Sequence, residues 1–119
     1  MSKLFEAIAP THFAMTEISL MGLVERIADF QKRKFPNVTV AAKLLHAQKE
    51  ITEVINDPND LVEWADVLIL FLAAAHQQGL TLPQLVAAAY VKMDENERRK
   101  WAAPDADGCV HHIKEETRP

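Results

Sequence analysis

An all-α fold is predicted from three observations. Apolar residues recur at three- and four-residue spacing, prolines and glycines cut the chain into helix-length pieces, and no alternating β-branched run bounded by turn signals occurs. Residues 1–15 read as irregular. Thr16 is the expected N-cap of a first helix running to about Phe35, before Pro36. A second helix should span about 39–56. Asp57-Pro58-Asn59-Asp60 reads as a stop and restart, with Asp57 as N-cap, Pro58 at the first helical position and Asp60 in the acid-favouring first turn. The third helix, about 58–78, should end at Gly79. Thr81-Leu-Pro-Gln84 resembles a capping box opening a fourth helix, about 82–100. Residues 102–119 form a polar tail of no derivable shape. The expected architecture is a four-helix bundle in one domain, 1–119.

Composition narrows the function classes. The 119 residues are 49% hydrophobic and 25% charged, which suits an ordinary globular domain. Acids outnumber Lys and Arg by 17 to 13, so a long nucleic acid is not an expected partner. The single cysteine, Cys109, excludes an internal disulfide and fits a reducing compartment. Lys3, Glu6 and Pro10 argue against a signal peptide, and the apolar run Val67–Ala75 is nine residues where a membrane span needs about 20. A soluble cytoplasmic protein is expected.

Two carboxylate pairs dominate the middle of the chain: Glu50 with Glu53, and Glu63 with Asp66. Positions three apart on a helix lie about 60° apart, so each pair projects from one face. On the second helix Leu44, Ala47, Ile51, Val54 and Ile55 are the expected buried stripe, with Glu50 just beyond its edge. The third helix is apolar almost all round, so Glu63 and Asp66 must be buried or line a cleft, and Trp64 reads as core. The short 56–60 connection makes the two helices antiparallel neighbours, which lets all four acids converge.

Converging carboxylates repel and need a cation. Four acids without histidine or cysteine ligands suit Mg2+, with Mn2+ as a substitute, which keeps positions for water and phosphate oxygens. The plainer reading is that Glu50 and Glu53 share a solvated face with Lys49 while Glu63 and Asp66 favour a helix start; the apolar setting of Asp66, past the first turn, tells against it. On the fourth helix Lys92, Asn96 and Arg99 form one column beside a stripe of Leu82, Leu85, Val86, Ala89 and Met93, and two cations with an amide suit phosphates. A solvated helix C-terminus explains the same cations without a ligand.

The segment His46–Trp101, with His46-x3-Glu50-x2-Glu53, Glu63-Trp64-Ala65-Asp66, Gly79 and Lys92-x3-Asn96-x2-Arg99-x-Trp101, resembles the MazG-like all-α nucleoside triphosphate pyrophosphohydrolases, and within them the bacterial and phage dATP/dGTP diphosphohydrolase branch. Thr11–Met15 and Val110–Ile113 resemble that branch more loosely. Two departures stand out: Lys49 precedes Glu50 where the wider family often has a second acid, and the Glu53-to-Glu63 gap is short.

The resemblance implies water attack on the α-phosphorus of a purine deoxynucleoside triphosphate, giving the monophosphate and pyrophosphate. Two or more Mg2+ ions would be held by Glu50, Glu53, Glu63 and Asp66, with Glu50 as general base. Lys92, Asn96 and Arg99 would hold the phosphate tail. His12 and Phe13 are candidates to border the base, and His46 to orient Glu50. A third helix apolar on every side also predicts a homodimer or tetramer. Three alternatives are carried: a house-cleaning or dUTP-type pyrophosphohydrolase, a regulator binding zinc through Cys109, His111 and His112, and a non-catalytic helical interaction module.

Overall fold

Ser19, Thr39 and Asp60 start three helices by the same device, a side-chain oxygen accepting a backbone N–H of the first turn that has no partner within the helix. The structure is a computed structural model, and its described residues are 19–114. They form α1 (Leu20–Lys34), α2 (Val40–Asn56), α3 (Leu61–Gln77) and α4 (Leu82–Arg98), with no strand among them, so the class is all-α. No single helix among them is long and apolar enough to cross a membrane.

Two helix starts differ from expectation. Thr16, His12 and Phe13 lie outside the described residues, and α1 is capped by Ser19. Asp57 ends α2 by donating its N–H to the Glu53 carbonyl at 3.0 Å, and the Asp60 N–H closes onto the Asp57 carbonyl at 3.2 Å. A turn therefore separates the helices. Pro58 sits in that turn, and Asp60 caps α3 through Val62 N at 3.0 Å. The end of α3 is a Schellman turn: Leu80 N reaches Ala75 O, Gly79 N reaches His76 O, and Gly79 takes φ 87°, where a side chain would be strained.

The chain divides into two compact units, one running to Leu82 and one from Pro83. In the first, α3 packs against both α1 and α2. Ile27, Leu72 and Ala73 are buried at its centre, flanked by Leu23, Val24, Ile69 and Leu82. Small side chains allow the approach, since Ala73 and Ala74 are each only 2% exposed.

The stripe expected on α2 is sheltered only in part, at Ala47 and Val54. Leu44, Ile51 and Ile55 are exposed, and α2 presents Lys43, Ala47, Glu50 and Val54 inward, a face turned by about 50°. Its inner edge borders a cavity instead of a dry core. Trp64, expected in the core, is 55% exposed and donates its indole N–H to the Pro58 carbonyl at 2.9 Å. With Leu61, Leu68 and Phe71 it makes an exposed apolar row on α3, about 150° around the helix from Glu63 and Asp66.

In the second unit the described part of the tail, residues 102–114, has a definite shape. Trp101 and His112 form an isolated antiparallel bridge with rings edge to face at 6.1 Å, and Trp101 Nε1 donates to the Asn96 carbonyl at 3.0 Å, fastening the tail to the end of α4. The turn between is organised by Asp105, whose Oδ1 accepts the N–H groups of Asp107 and Cys109, each at 2.9 Å, while Oδ2 meets His111 Nε2 at 2.9 Å. His111 first, then the Cys109 N–H, hold this carboxyl below the ordinary aspartate range.

Candidate active site

Glu50, Glu63 and Asp66 are brought together by the α2–α3 pair. Each offers a carboxylate oxygen, and the three oxygens lie within 4.8 Å of one another. All three residues are half-buried. Glu50 sits two helical turns from the end of α2 and the other two in the first two turns of α3, so the short connection leaves them facing.

The electrostatics are those of a site lacking a counter-charge. Partial burial, then the charges of Glu50, Asp60, Asp66 and Glu53, push the Glu63 carboxyl above its ordinary range. Asp66 is likewise raised, by burial first and by Glu50 next, with His46 opposing. Such a cluster is stabilised by a hard cation, and an all-oxygen donor set with no thiol or imidazole among its members suits Mg2+ or Mn2+. Glu53 lies outside the 4.8 Å set and is exposed, although its charge is felt at Glu63. Three of the four expected acids therefore converge.

His46 Nε2 lies 3.2 Å from Glu50 Oε1, across one turn of α2. A carboxylate can only accept, so the imidazole donates from Nε2 and fixes how Glu50 points. This contact gives His46 the orienting position its spacing suggested.

Beside the acids opens a cavity of about 390 Å³, lined at one side by His46, Glu50 and Asp66 and elsewhere by Lys43, Gln31 and apolar groups including Phe35, Val38 and Ile69. Its mixture of an apolar wall with a few polar groups is that of a small-molecule pocket. Sequence reasoning missed Lys43, Gln31 and Phe35. Lys43 carried a signal: it stands seven residues before Glu50, two turns away on the same face.

In the second unit Lys92 and Asn96 lie on α4 and Arg99 just beyond its last residue, and they are not unengaged. Glu95 stands among them, 3.3 Å from Lys92 Nζ and also paired with Arg99, and the Lys92 contact first holds its carboxyl below the usual range. Asn96 Oδ1 is buried without a hydrogen-bond partner among the described residues. As for zinc, Cys109, His111 and His112 do not group as ligands; Glu50, Glu63 and Asp66 are the candidate metal set among the described residues.

A family model described as dATP/dGTP pyrophosphohydrolase matches residues 23–118. A dATP/dGTP diphosphohydrolase of Salmonella phage PMBT28 is 37% identical over 95 residues, covering 73% of this chain and 31% of that relative. The Eaa protein of Salmonella phage P22 is 33% identical over 60 residues, covering 50% of this chain and 19% of its own length. The chain thus spans a third or less of these two curated relatives. Among solved structures, the cyanophage S-2L MazG-like pyrophosphohydrolase, bound to dGDP and three catalytic Mn2+ ions per active site, aligns with TM-score 0.69 at 29% identity, covering 82% of this chain and 99% of its own.

Proposed function

The chain belongs to the dATP/dGTP pyrophosphohydrolase family, and on that premise we propose that it hydrolyses purine deoxynucleoside triphosphates to the monophosphate and pyrophosphate, with Mg2+ as its cofactor. The observation that carries the reading is the convergence of Glu50, Glu63 and Asp66 within 4.8 Å at the edge of a cavity of about 390 Å³.

Glu50, Glu63 and Asp66 would hold the divalent ions, with Glu53 as an outer ligand. The ions supply neutralisation of phosphate charge and a lowered pKa for water. The remaining steps belong to the chain. Glu50 lies in both the acid cluster and the cavity wall, so it is placed to take the proton of a water that attacks the α-phosphorus, and His46 keeps its carboxylate aimed. Charge then gathers on the leaving pyrophosphate, and catalysis of this kind consists mainly of positioning and cationic stabilisation. Lys92, Asn96 and Arg99 are assigned to phosphate oxygens on the strength of their shared column and charge.

The test is pyrophosphate release from each deoxynucleoside triphosphate with Mg2+ and with chelator. Mg2+-dependent turnover of dGTP or dATP is expected. A preference for dUTP would move the chain to the runner-up pyrophosphohydrolase class, and silence towards every nucleotide would leave the helical interaction module.

Self-association is part of the same proposal. The exposed row Leu61, Trp64, Leu68 and Phe71 is large for a solvated helix face, and a second copy of the chain is the occupant that the apolar third helix calls for. Light scattering at micromolar concentration is expected to give a dimer or tetramer mass. A stable monomer would remove the assignment, and Trp64→Glu should shift the mass towards one chain.

A further inference from the structure

Lys43 is a charged side chain only 5% exposed, and it lines the cavity next to the acids. Its hydrogen-bond partner among the described residues is a neutral group, the Gln77 side-chain oxygen. Burying an ammonium without a carboxylate is costly, so some other group should satisfy it when the protein works.

The geometry of the pair is set from behind. Gln77 Nε2 donates to the Val38 carbonyl at 3.0 Å. That carbonyl can only accept, which turns the Gln77 oxygen towards Lys43 and takes up one of the three ammonium protons. Two protons remain. Along α2, Lys43 precedes Glu50 by seven residues, about 10 Å of helix rise, and Gln77 follows Asp66 by eleven on the antiparallel α3. The ammonium therefore stands at the end of the cavity away from the carboxylates, with Phe35, Val38 and Ile69 supplying apolar wall to the same space. A nucleotide whose phosphate lies at the acids would put its base there.

We propose that Lys43, positioned by Gln77, reads the base edge of the substrate and makes this chain prefer 6-oxopurines, guanine first, over adenine. The proposal rests on the pyrophosphohydrolase reading and deepens it. Guanine presents two neighbouring acceptors, O6 and N7, which suit a group that can only donate. Adenine presents N7 beside an N6 amino donor, so one ammonium proton would meet another donor. Pyrimidines lack N7 altogether. Lys43 is here a specificity residue that touches the base, and Gln77 is a positioning residue that acts through it.

The test compares kcat/KM for dGTP, dITP and dATP in the full chain. The wild type should favour dGTP over dATP by about tenfold to a hundredfold, the range of one good two-acceptor contact, and dITP, which keeps O6 and N7, should follow dGTP. Lys43→Met should collapse the dGTP-to-dATP ratio towards one. Lys43→Gln, whose amide both donates and accepts, should tip the ratio towards dATP. Gln77→Ala, at an exposed position, should lower the ratio by a smaller factor through KM and leave kcat nearly constant.

A second readout avoids turnover. Calorimetric titration with dGMP and dAMP in chelator should show tighter dGMP binding in the wild type and equal binding in Lys43→Met. A wild type that favours dATP, or a Lys43→Met variant whose ratio is unchanged or that loses both substrates equally, overturns the assignment. If Lys43→Met unfolds by circular dichroism, the dITP comparison and Gln77→Ala decide in its place. Absence of any turnover would sink the proposed activity, while the monophosphate titration would still judge Lys43 separately.

Discussion

Glu50→Gln is expected to lower kcat for the preferred purine deoxynucleoside triphosphate by about a thousandfold, within the range that a positioned general base contributes, while the protein stays folded. The two side chains have one shape, and the amide oxygen can still accept from His46 Nε2, so the α2 surface is preserved. What disappears is the anionic oxygen that could take a proton, together with one of the three carboxylates in a cluster only 4.8 Å wide. Helical content by circular dichroism should match the wild type. Retention of more than about a tenth of the turnover would remove Glu50 from the mechanism, because the effect of losing a general base cannot be that small.

Asp66→Asn should separate stability from activity. Asp66 has its carboxyl raised by partial burial and then by Glu50, so in the ion-free protein its charged form is disfavoured by folding. The sign follows by linkage. A folded pKa above the unfolded one gives stability that is complete at low pH and lost as pH rises through the folded value. At neutral pH, then, the ion-free wild type carries repulsion that the amide lacks. In chelator the variant should melt a few degrees higher, and its Tm should fall less than that of the wild type between acid and neutral pH. Glu95 and Asp105, whose carboxyls are held low, run in the opposite direction, but they are common to both proteins and cancel in the comparison.

Divalent cations should reverse the order. Binding to the folded state alone at about tenfold over the dissociation constant should raise the wild-type Tm by roughly 6 °C, and much less in Asp66→Asn. Turnover of the variant should fall about a hundredfold or more, as expected when electrostatic stabilisation of phosphate charge is weakened. A variant that melts lower in chelator, or one that keeps the full Mg2+-induced rise, would show that Asp66 is not part of a cation site.

The acids were legible in the sequence for a definite reason: i, i+3 spacing and a four-residue connection are local geometry, and local geometry survives folding. Glu50, Glu63 and Asp66 meet as that geometry requires. Glu53 does not join them because it stands a further turn of about 60° around α2 from Glu50, on the side away from the buried residues, even though the inward face is turned from the one its apolar residues suggested. That turn depends on what α3 offers in return, which no pattern within α2 contains. The same rotation explains why Lys43 escaped notice, since a lysine between Ala42 and Leu44 reads as solvent-facing until Gln77 is brought to it from 34 residues away. Trp64 was misplaced by the assumption that an indole on an apolar helix lies in the core, whereas its N–H finds the Pro58 carbonyl at the outer edge. The tail was opaque because its shape comes from one carboxylate, Asp105, collecting two backbone N–H groups and an imidazole.

Only sixteen positions separate Glu50 from Asp66, and the turn between them holds four residues. Contacts so near in sequence close quickly and at small entropic cost, so this centre can assemble early in folding, with little help from distant parts of the chain. The price is that three like charges resist the closing hairpin, so a divalent ion bound among them would help the polypeptide to acquire its shape as well as to act afterwards.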